Sequence, residues 1–242
     1  MLNQRQQSIL SALVQGYVRT ARPMASRDLA CLLDDPVSSA TVRNELARLD
    51  ELGYADQPHT SAGRVPTGKG YRFFVDHLMR KHCLLPQEER AIRMLERVSP
   101  HDEFLSALAN TVAEWCGSFT ATGMVQERRM HKVGLTKILE EPEFETRNRV
   151  QSFAHLVDLL DEELYDFLDG RDDQNELVFI GRENPFPEAR EYTMMVSWWR
   201  HPGGFEGFLT MISPTRMNYE HHLSFLDLLH RHFSKGADAE EE

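Results

Sequence analysis

The sequence predicts an α+β protein, with a winged helix-turn-helix domain at the N-terminus and a mixed α+β body behind it. Three observations lead there. Short helical patterns with a tight break before the last precede Gly53. Two short extended segments then flank a turn-rich loop, the arrangement of a wing. In the body the apolar period switches from helical to strand-like near Leu177.

Ile9, Leu10, Leu13, Val14, Tyr17 and Val18 recur at helical spacing, with Asn3 as N-cap and Pro23 beyond the end. Ser26 is placed to cap a second, short helix with Leu29, Ala30, Leu32 and Leu33 inside, stopped by Asp34-Asp35-Pro36. Ser38 and Ser39 open a third helix, whose core stripe is Val42, Leu46, Leu49 and Leu52, with Gly53 as its stop. Residues 54–57 and 64–66 read as the wing strands around Pro58-His59-Thr60-Ser61-Ala62-Gly63. Thr67 starts another helix facing inward through Tyr71, Phe74, Val75 and Leu78. The winged-helix domain is expected over 1–80, a linker over 81–90, a regulatory and dimerisation domain over 91–235 and an acidic tail over 236–242.

Within the body, helices are expected over about 88–98, 102–116 and 143–169, the last with a Phe153, Leu156, Leu160, Leu164 stripe. Strands are expected at 177–180, 192–199 and 205–212, the last two joined by the turn His201-Pro202-Gly203-Gly204, and a final amphipathic helix at 216–233.

The 242 residues carry 41 % hydrophobic and 27 % charged side chains, the profile of a packed soluble protein. Mean hydropathy is −0.47 and no stretch is long and apolar enough to cross a membrane. The N-terminus lacks a secretory signal pattern. The three cysteines are far apart with no CxxC pair, which fits a reducing cytoplasm and argues against a cysteine zinc site. The net charge of −11 divides unevenly: residues 1–82 carry +3 and the remainder −14. A basic head on an acidic body suits docking to a polyanion through the head.

The third helix has the composition for reading DNA. Thr41, Arg43, Asn44 and Arg48 lie off its core stripe. Arg pairs with guanine, Asn with adenine, and Thr meets a thymine methyl. Ser38 and Ser39 at the helix start offer hydroxyls and backbone N–H groups to a phosphate. His59, Thr60, Ser61 and Arg64 in the wing, with Lys69 just beyond, are the candidate backbone contacts. Each has a plainer alternative: a solvated helix face, with Arg48 paired to Glu45 or Glu51, and an ordinary surface turn.

Elsewhere the sequence offers little chemistry. No GxSxG, Walker loop, GxGxxG or HExxH occurs, so no catalytic residue is expected. His221, His222, His230 and His232 do not fall at a metal-ligand spacing, and neither metal nor cofactor is expected. Trp198, Trp199, Phe205, Phe208 and Met211 suit a core better than a ligand pocket.

Longer strings carry a resemblance. Ser38-Ser39-Ala40-Thr41-Val42-Arg43-Asn44-Glu45-Leu46, then Leu52-Gly53-Tyr54, resembles the heat-inducible transcription repressor HrcA family. So do Pro58-His59-Thr60-Ser61-Ala62-Gly63-Arg64-Val65-Pro66-Thr67, Gly70-Tyr71-Arg72-Phe73-Phe74-Val75-Asp76 and the start Leu2-Asn3-Gln4-Arg5-Gln6. Downstream, Leu139 to Phe144, Ile180-Gly181-Arg182-Glu183-Asn184-Pro185 and Ile212-Ser213-Pro214-Thr215-Arg216-Met217-Asn218-Tyr219 are similar as well.

The resemblance implies a repressor of chaperone operons that binds double-stranded DNA at an inverted repeat, as a homodimer, and is relieved by heat. It further implies a supporting role for the GroEL chaperonin and a GAF-like body interrupted by an inserted dimerisation domain. This chain is short between Thr122-Gly123 and His131-Lys132-Val133, where the family carries added strands and helices, so most of that insertion is expected to be lacking. Two other functions fit the residues: a winged-helix regulator of other genes controlled by a ligand or protein, and a protein-interaction module that does not bind DNA.

Overall fold

The computed structural model describes residues 2–60, 62–80, 82–99, 101–169 and 176–233. These residues form two compact units. The first holds residues 2–80 together with Thr215–Glu220, and the second holds the rest.

In the first unit, α1 (Gln4–Thr20) starts with a capping box. Asn3 accepts from the Gln6 N–H, and the Gln6 side chain accepts from the Asn3 N–H. The inward stripe of Ile9, Leu10, Leu13 and Val14 is buried. α2 (Ser26–Ala30) is shorter than expected and has no side-chain cap, Ala25 standing at the cap position expected of Ser26. It ends before Leu32, which is 40 % exposed, so a single turn buries only Leu29 fully.

α3 (Ser39–Glu51) is capped by Ser38, whose Oγ accepts from the Thr41 N–H at 3.1 Å. Its Val42, Leu46 and Leu49 are buried, whereas Leu52 lies past the last turn and is 47 % exposed. Gly53 follows at φ 76°, a left-handed stop suited to glycine. β1 (Ala55–Asp56) and β2 (Val65–Pro66) form the antiparallel wing. A bridge joins Met24 to Arg64 beside it, through N–H···O bonds of 2.9 Å in both directions. α4 (Gly68–Phe73), capped by Thr67, runs on through a π-helical turn at Phe74–Leu78, which departs from a plain helix.

The second unit opens with α5 (Pro86–Leu95), which corrects the linker expected over 81–90. Pro86 suits a first helical turn, where no N–H partner is needed. Glu88, 2 % exposed, accepts from the Leu85 N–H at 2.6 Å and faces His221 Nε2 at 2.5 Å. α6 (His101–Cys116) matches expectation. β3 (Phe119–Met124) and β4 (Arg129–Val133) then form a hairpin beyond the expected strands. Every β3 residue is buried; Phe119-Thr120-Ala121-Thr122 alternates, but over four residues only, and the small Thr-Ala-Thr-Gly centre lacks the run of large apolar side chains that marks the other strands.

α7 (Leu135–Ile138) is a single turn. The long helix expected over 143–169 divides into a 3-10 turn at Pro142–Phe144 and α8 (Arg147–Leu168). β5 (Leu177–Ile180), β6 (Tyr192–Arg200), β7 (Glu206–Pro214) and, from His221 on, α9 (Tyr219–Phe233) complete the unit, α9 beginning three residues later than expected. Asp172, Asp173 and the acidic tail lie outside the described residues.

The five strands form one antiparallel sheet in the order β4-β3-β7-β6-β5. α8 covers one face, where Phe119, Ala121, Phe153, Leu156, Leu160, Met194, Val196 and Phe208 are buried together. On the other face Phe104 of α6 meets Trp199 at 4.9 Å and Phe233 of α9 at 5.4 Å. The register pairs Trp198 with Phe208 and Met195 with Met211. Adjacent strand residues point to opposite faces, so the aromatic and Met residues that could have lined a pocket divide between two packed layers. Trp199 Nε1 donates to Phe208 O at 2.9 Å and to Thr122 Oγ1 at 3.1 Å, which satisfies the indole inside the core.

Among the described residues no helix is long and apolar enough to cross a membrane, and no group of three or more His, Cys, Asp or Glu side chains could hold a metal ion. Burial pushes the Cys116 thiol well above its usual range, so it stays protonated and unreactive.

Candidate nucleic-acid interface

Because Val42, Leu46 and Leu49 turn one side of α3 inward, the helix presents its other side to solvent. Thr41, Asn44 and Arg48 stand at i, i+3 and i+7 and so form one stripe, with Arg43 on the far side of Ala40 and Ala47. Arg43, Asn44 and Arg48 are exposed and Thr41 is half-buried, its Oγ1 2.9 Å from Ser38 Oγ. That contact ties Ser38 and Thr41 together at the helix start, next to exposed Ser39.

Arg48 Nη1 lies 3.2 Å from Glu51 Oε2. Both side chains are more than half exposed, so the pair contributes under about 1 kcal/mol and an anionic ligand can displace it. Glu45, the other acidic neighbour of Arg48 in sequence, instead accepts from Gln6 Nε2 of α1 at 3.1 Å.

In the wing His59 and Thr60 are exposed, while Ser61 lies outside the described residues. Gln57, which no sequence pattern singles out, shapes this loop. Its Nε2 donates to Thr60 O at 3.1 Å and to Ala62 O at 2.9 Å, using both amide protons.

Arg64 and Lys69 are more engaged within the protein than expected of plain phosphate contacts. The Arg64 side chain is 18 % exposed, and its Nε lies 3.0 Å from Asp50 Oδ2 on α3. With its backbone bound to Met24, Arg64 fixes the root of the wing against the third helix. Lys69 Nζ donates to Leu52 O at 2.8 Å and sits 4.4 Å from the centre of the Tyr54 ring. A cation at the C-terminus of α3 also complements the helix dipole. The ammonium has two further N–H groups, and the residue is exposed. Nothing in the sequence marks Asp50 or Gln57, because each acts on a partner that only folding brings near.

This geometry has close relatives. A family model described as the winged helix-turn-helix transcription repressor, HrcA DNA-binding, matches residues 1–78, and one described as the HrcA protein C terminal domain matches residues 75–223. The chain belongs to the HrcA family.

The heat-inducible transcription repressor HrcA of Carboxydothermus hydrogenoformans is 52 % identical over 93 residues, which is 38 % of this chain and 27 % of that one. The HrcA of Brevibacillus brevis is 45 % identical over 116 residues, 47 % of this chain and 34 % of that one. The chain thus matches about a third or less of the length of these relatives. The HrcA of Caldanaerobacter subterraneus subsp. tengcongensis is 28 % identical over 338 aligned residues, covering 96 % of both chains. A solved structure described as that of a hypothetical protein superposes with a TM-score of 0.74 at 18 % identity, over 98 % of this HrcA-family chain and 99 % of that one, and shares its fold.

Proposed function

We propose that this chain is a DNA-binding transcriptional repressor of heat-shock (chaperone) genes, acting in the cytoplasm as a homodimer on an inverted-repeat operator and relieved by heat. The observation that carries the reading is the exposed stripe of α3 beside a braced wing, in a domain matched along its length by the HrcA DNA-binding model. Thr41, Arg43, Asn44 and Arg48 read bases. Ser38, Ser39, His59, Thr60, Ser61 and the outward N–H groups of Lys69 meet the sugar–phosphate backbone. Arg64 contributes to the same contact by holding the wing in place. Two heads, one per half-site, match the two-fold symmetry of an inverted repeat.

The second unit reads as a GAF-like regulatory domain, an antiparallel sheet with helices on both faces. Its β3–β4 hairpin turns at 125–128, where relatives are expected to carry the inserted dimerisation domain. An alignment of 338 positions exceeds the 242 residues of this chain, so the Caldanaerobacter relative has a stretch without counterpart here. The GroEL chaperonin is the partner proposed to support the folded state.

Fluorescence anisotropy on a labelled HrcA-type inverted repeat and a scrambled duplex, across a salt series, tests this. Preference for the repeat by about a thousandfold, a steep salt slope and two chains per repeat are expected. Equal, weak binding to both duplexes would overturn the specific operator, and no binding to either would overturn DNA recognition altogether.

A further inference from the structure

The string Thr215-Arg216-Met217-Asn218-Tyr219-Glu220 lies far from the winged helix in sequence, yet it belongs to the first compact unit. Nothing in the DNA-reading geometry accounts for it. Its contacts within that unit are specific. The last turn of any helix leaves carbonyls without an intrahelical donor. In α1 the Tyr17 carbonyl accepts from the Ala21 N–H at 2.9 Å, and the Val18 carbonyl accepts from Arg216 Nη1 at 2.8 Å. A guanidinium there also meets the negative end of the helix dipole.

Tyr219 is 1 % exposed, with its ring centre 5.5 Å from that of Tyr71 on α4, and its OH donates to Thr215 O at 2.8 Å. Met217 is buried as well. Glu220 Oε1 accepts from the Arg80 N–H at 3.1 Å and from Gln15 Nε2 at 3.5 Å. The segment therefore holds α1, α4 and the end of the winged helix together. α1 in turn holds α3 through Gln6 and Glu45.

We propose that Arg216 and Tyr219 are positioning residues for the DNA-binding head, and that Thr215–Glu220 completes its fold. The segment is covalently continuous with β7 on one side and with the remainder of α9 on the other, both in the second unit. Loss of the fold of the second unit frees the ends of the segment, withdraws the cap from α1 and the ring from Tyr71, and loosens the helix that reads DNA. This rests on the DNA-binding reading above and supplies its regulation: the sheet unit need not touch the operator to control it.

The test uses the full chain and two variants. Arg216→Met keeps the aliphatic stem and removes the donor. Phe153→Leu weakens the second unit in its α8 layer, at a side chain that is fully buried there. Amide exchange is followed over a temperature series at Ala21, Val42 and Arg64 in the head and at Met195 and Thr210 in the sheet, together with operator anisotropy.

In Arg216→Met, exchange at Ala21 is expected to quicken about tenfold or more, as befits loss of a charge-assisted bond. Operator affinity falls, the sheet amides keep their protection, and Arg216→Lys restores part of both losses. In Phe153→Leu, head and sheet amides are expected to lose protection at the same lowered temperature. Head amides that stay protected after the sheet of Phe153→Leu has opened, or an Arg216→Met protein indistinguishable from the parent, would overturn the proposal. A parent chain that does not prefer the repeat overturns the DNA reading instead, and the exchange measurements still decide whether the segment supports the head.

Discussion

Gly63→Ala probes the wing where the structure makes the strongest demand. A Cβ at position 63 would lie 2.2 Å from Met24 O, 2.3 Å from Met24 C and 2.8 Å from Ala25 N. All three are backbone atoms, so no side-chain rotation relieves the clash, and the chain at Met24 must move away from the wing. That separates the two 2.9 Å bonds between Met24 and Arg64. At about 0.5–1.5 kcal/mol per bond, the expected loss is roughly 1–3 kcal/mol. The movement also displaces Arg64 from Asp50, and with it the wing from α3.

Gly68→Ala is the control, since a methyl group there would meet nothing within 4 Å and the residue opens α4. It should be neutral or stabilising by up to about 1 kcal/mol. Urea denaturation and amide exchange at Met24 and Arg64 give the stability arm, and operator anisotropy gives the functional one. Gly63→Ala should exchange faster at both amides and bind DNA with a shallower salt slope, because wing–phosphate contacts are lost. If Gly63→Ala matched Gly68→Ala in stability and in salt slope, the reasoning that the bridge braces a DNA-contacting wing would be refuted.

Three further outcomes are expected. Arg43→Ala should cost about 1–3 kcal/mol of operator affinity and relax preference at one base pair, and uniform loss across sequences would make Arg43 a phosphate contact instead. Arg48→Ala should change stability by less than about 1 kcal/mol, because its Glu51 partner is exposed, while weakening operator binding in the anisotropy assay. Glu176 concerns pH: burial, with the Asp227 charge nearby, pushes its carboxyl up to about 7. The folded state therefore holds a proton that the unfolded chain releases near pH 4.5, so stability falls as pH rises through that window and levels off above 7. Glu176→Gln should raise the urea midpoint at about pH 8 and leave it nearly unchanged near pH 4, and an equal shift at both values would contradict this assignment.

Legibility in the sequence followed the range of the interactions. The Asn3 and Ser38 caps, the buried faces of α1 and α3, the Gly53 stop and the wing loop are set by neighbours within a few residues, and each is readable from spacing and residue type. The exposed stripe of α3 follows from the same periodicity, since burying Val42, Leu46 and Leu49 leaves Asn44 and Arg48 outside. β3 is hidden for a different reason: its alternation spans only Phe119 to Thr122, and the small Ala and Gly at its centre add little apolar weight to the pattern.

By itself, then, the sequence determined the local elements of the head, its basic charge against an acidic remainder, and the family strings that name its relatives. Tertiary structure alone decided what those strings touch. It turned Arg64 toward Asp50, set Gln57 beneath the wing loop, and placed Arg216 at the end of α1, across a sequence separation of 198 residues. Contacts of that kind depend on where the folded chain brings distant segments together, and no local period or cap records it.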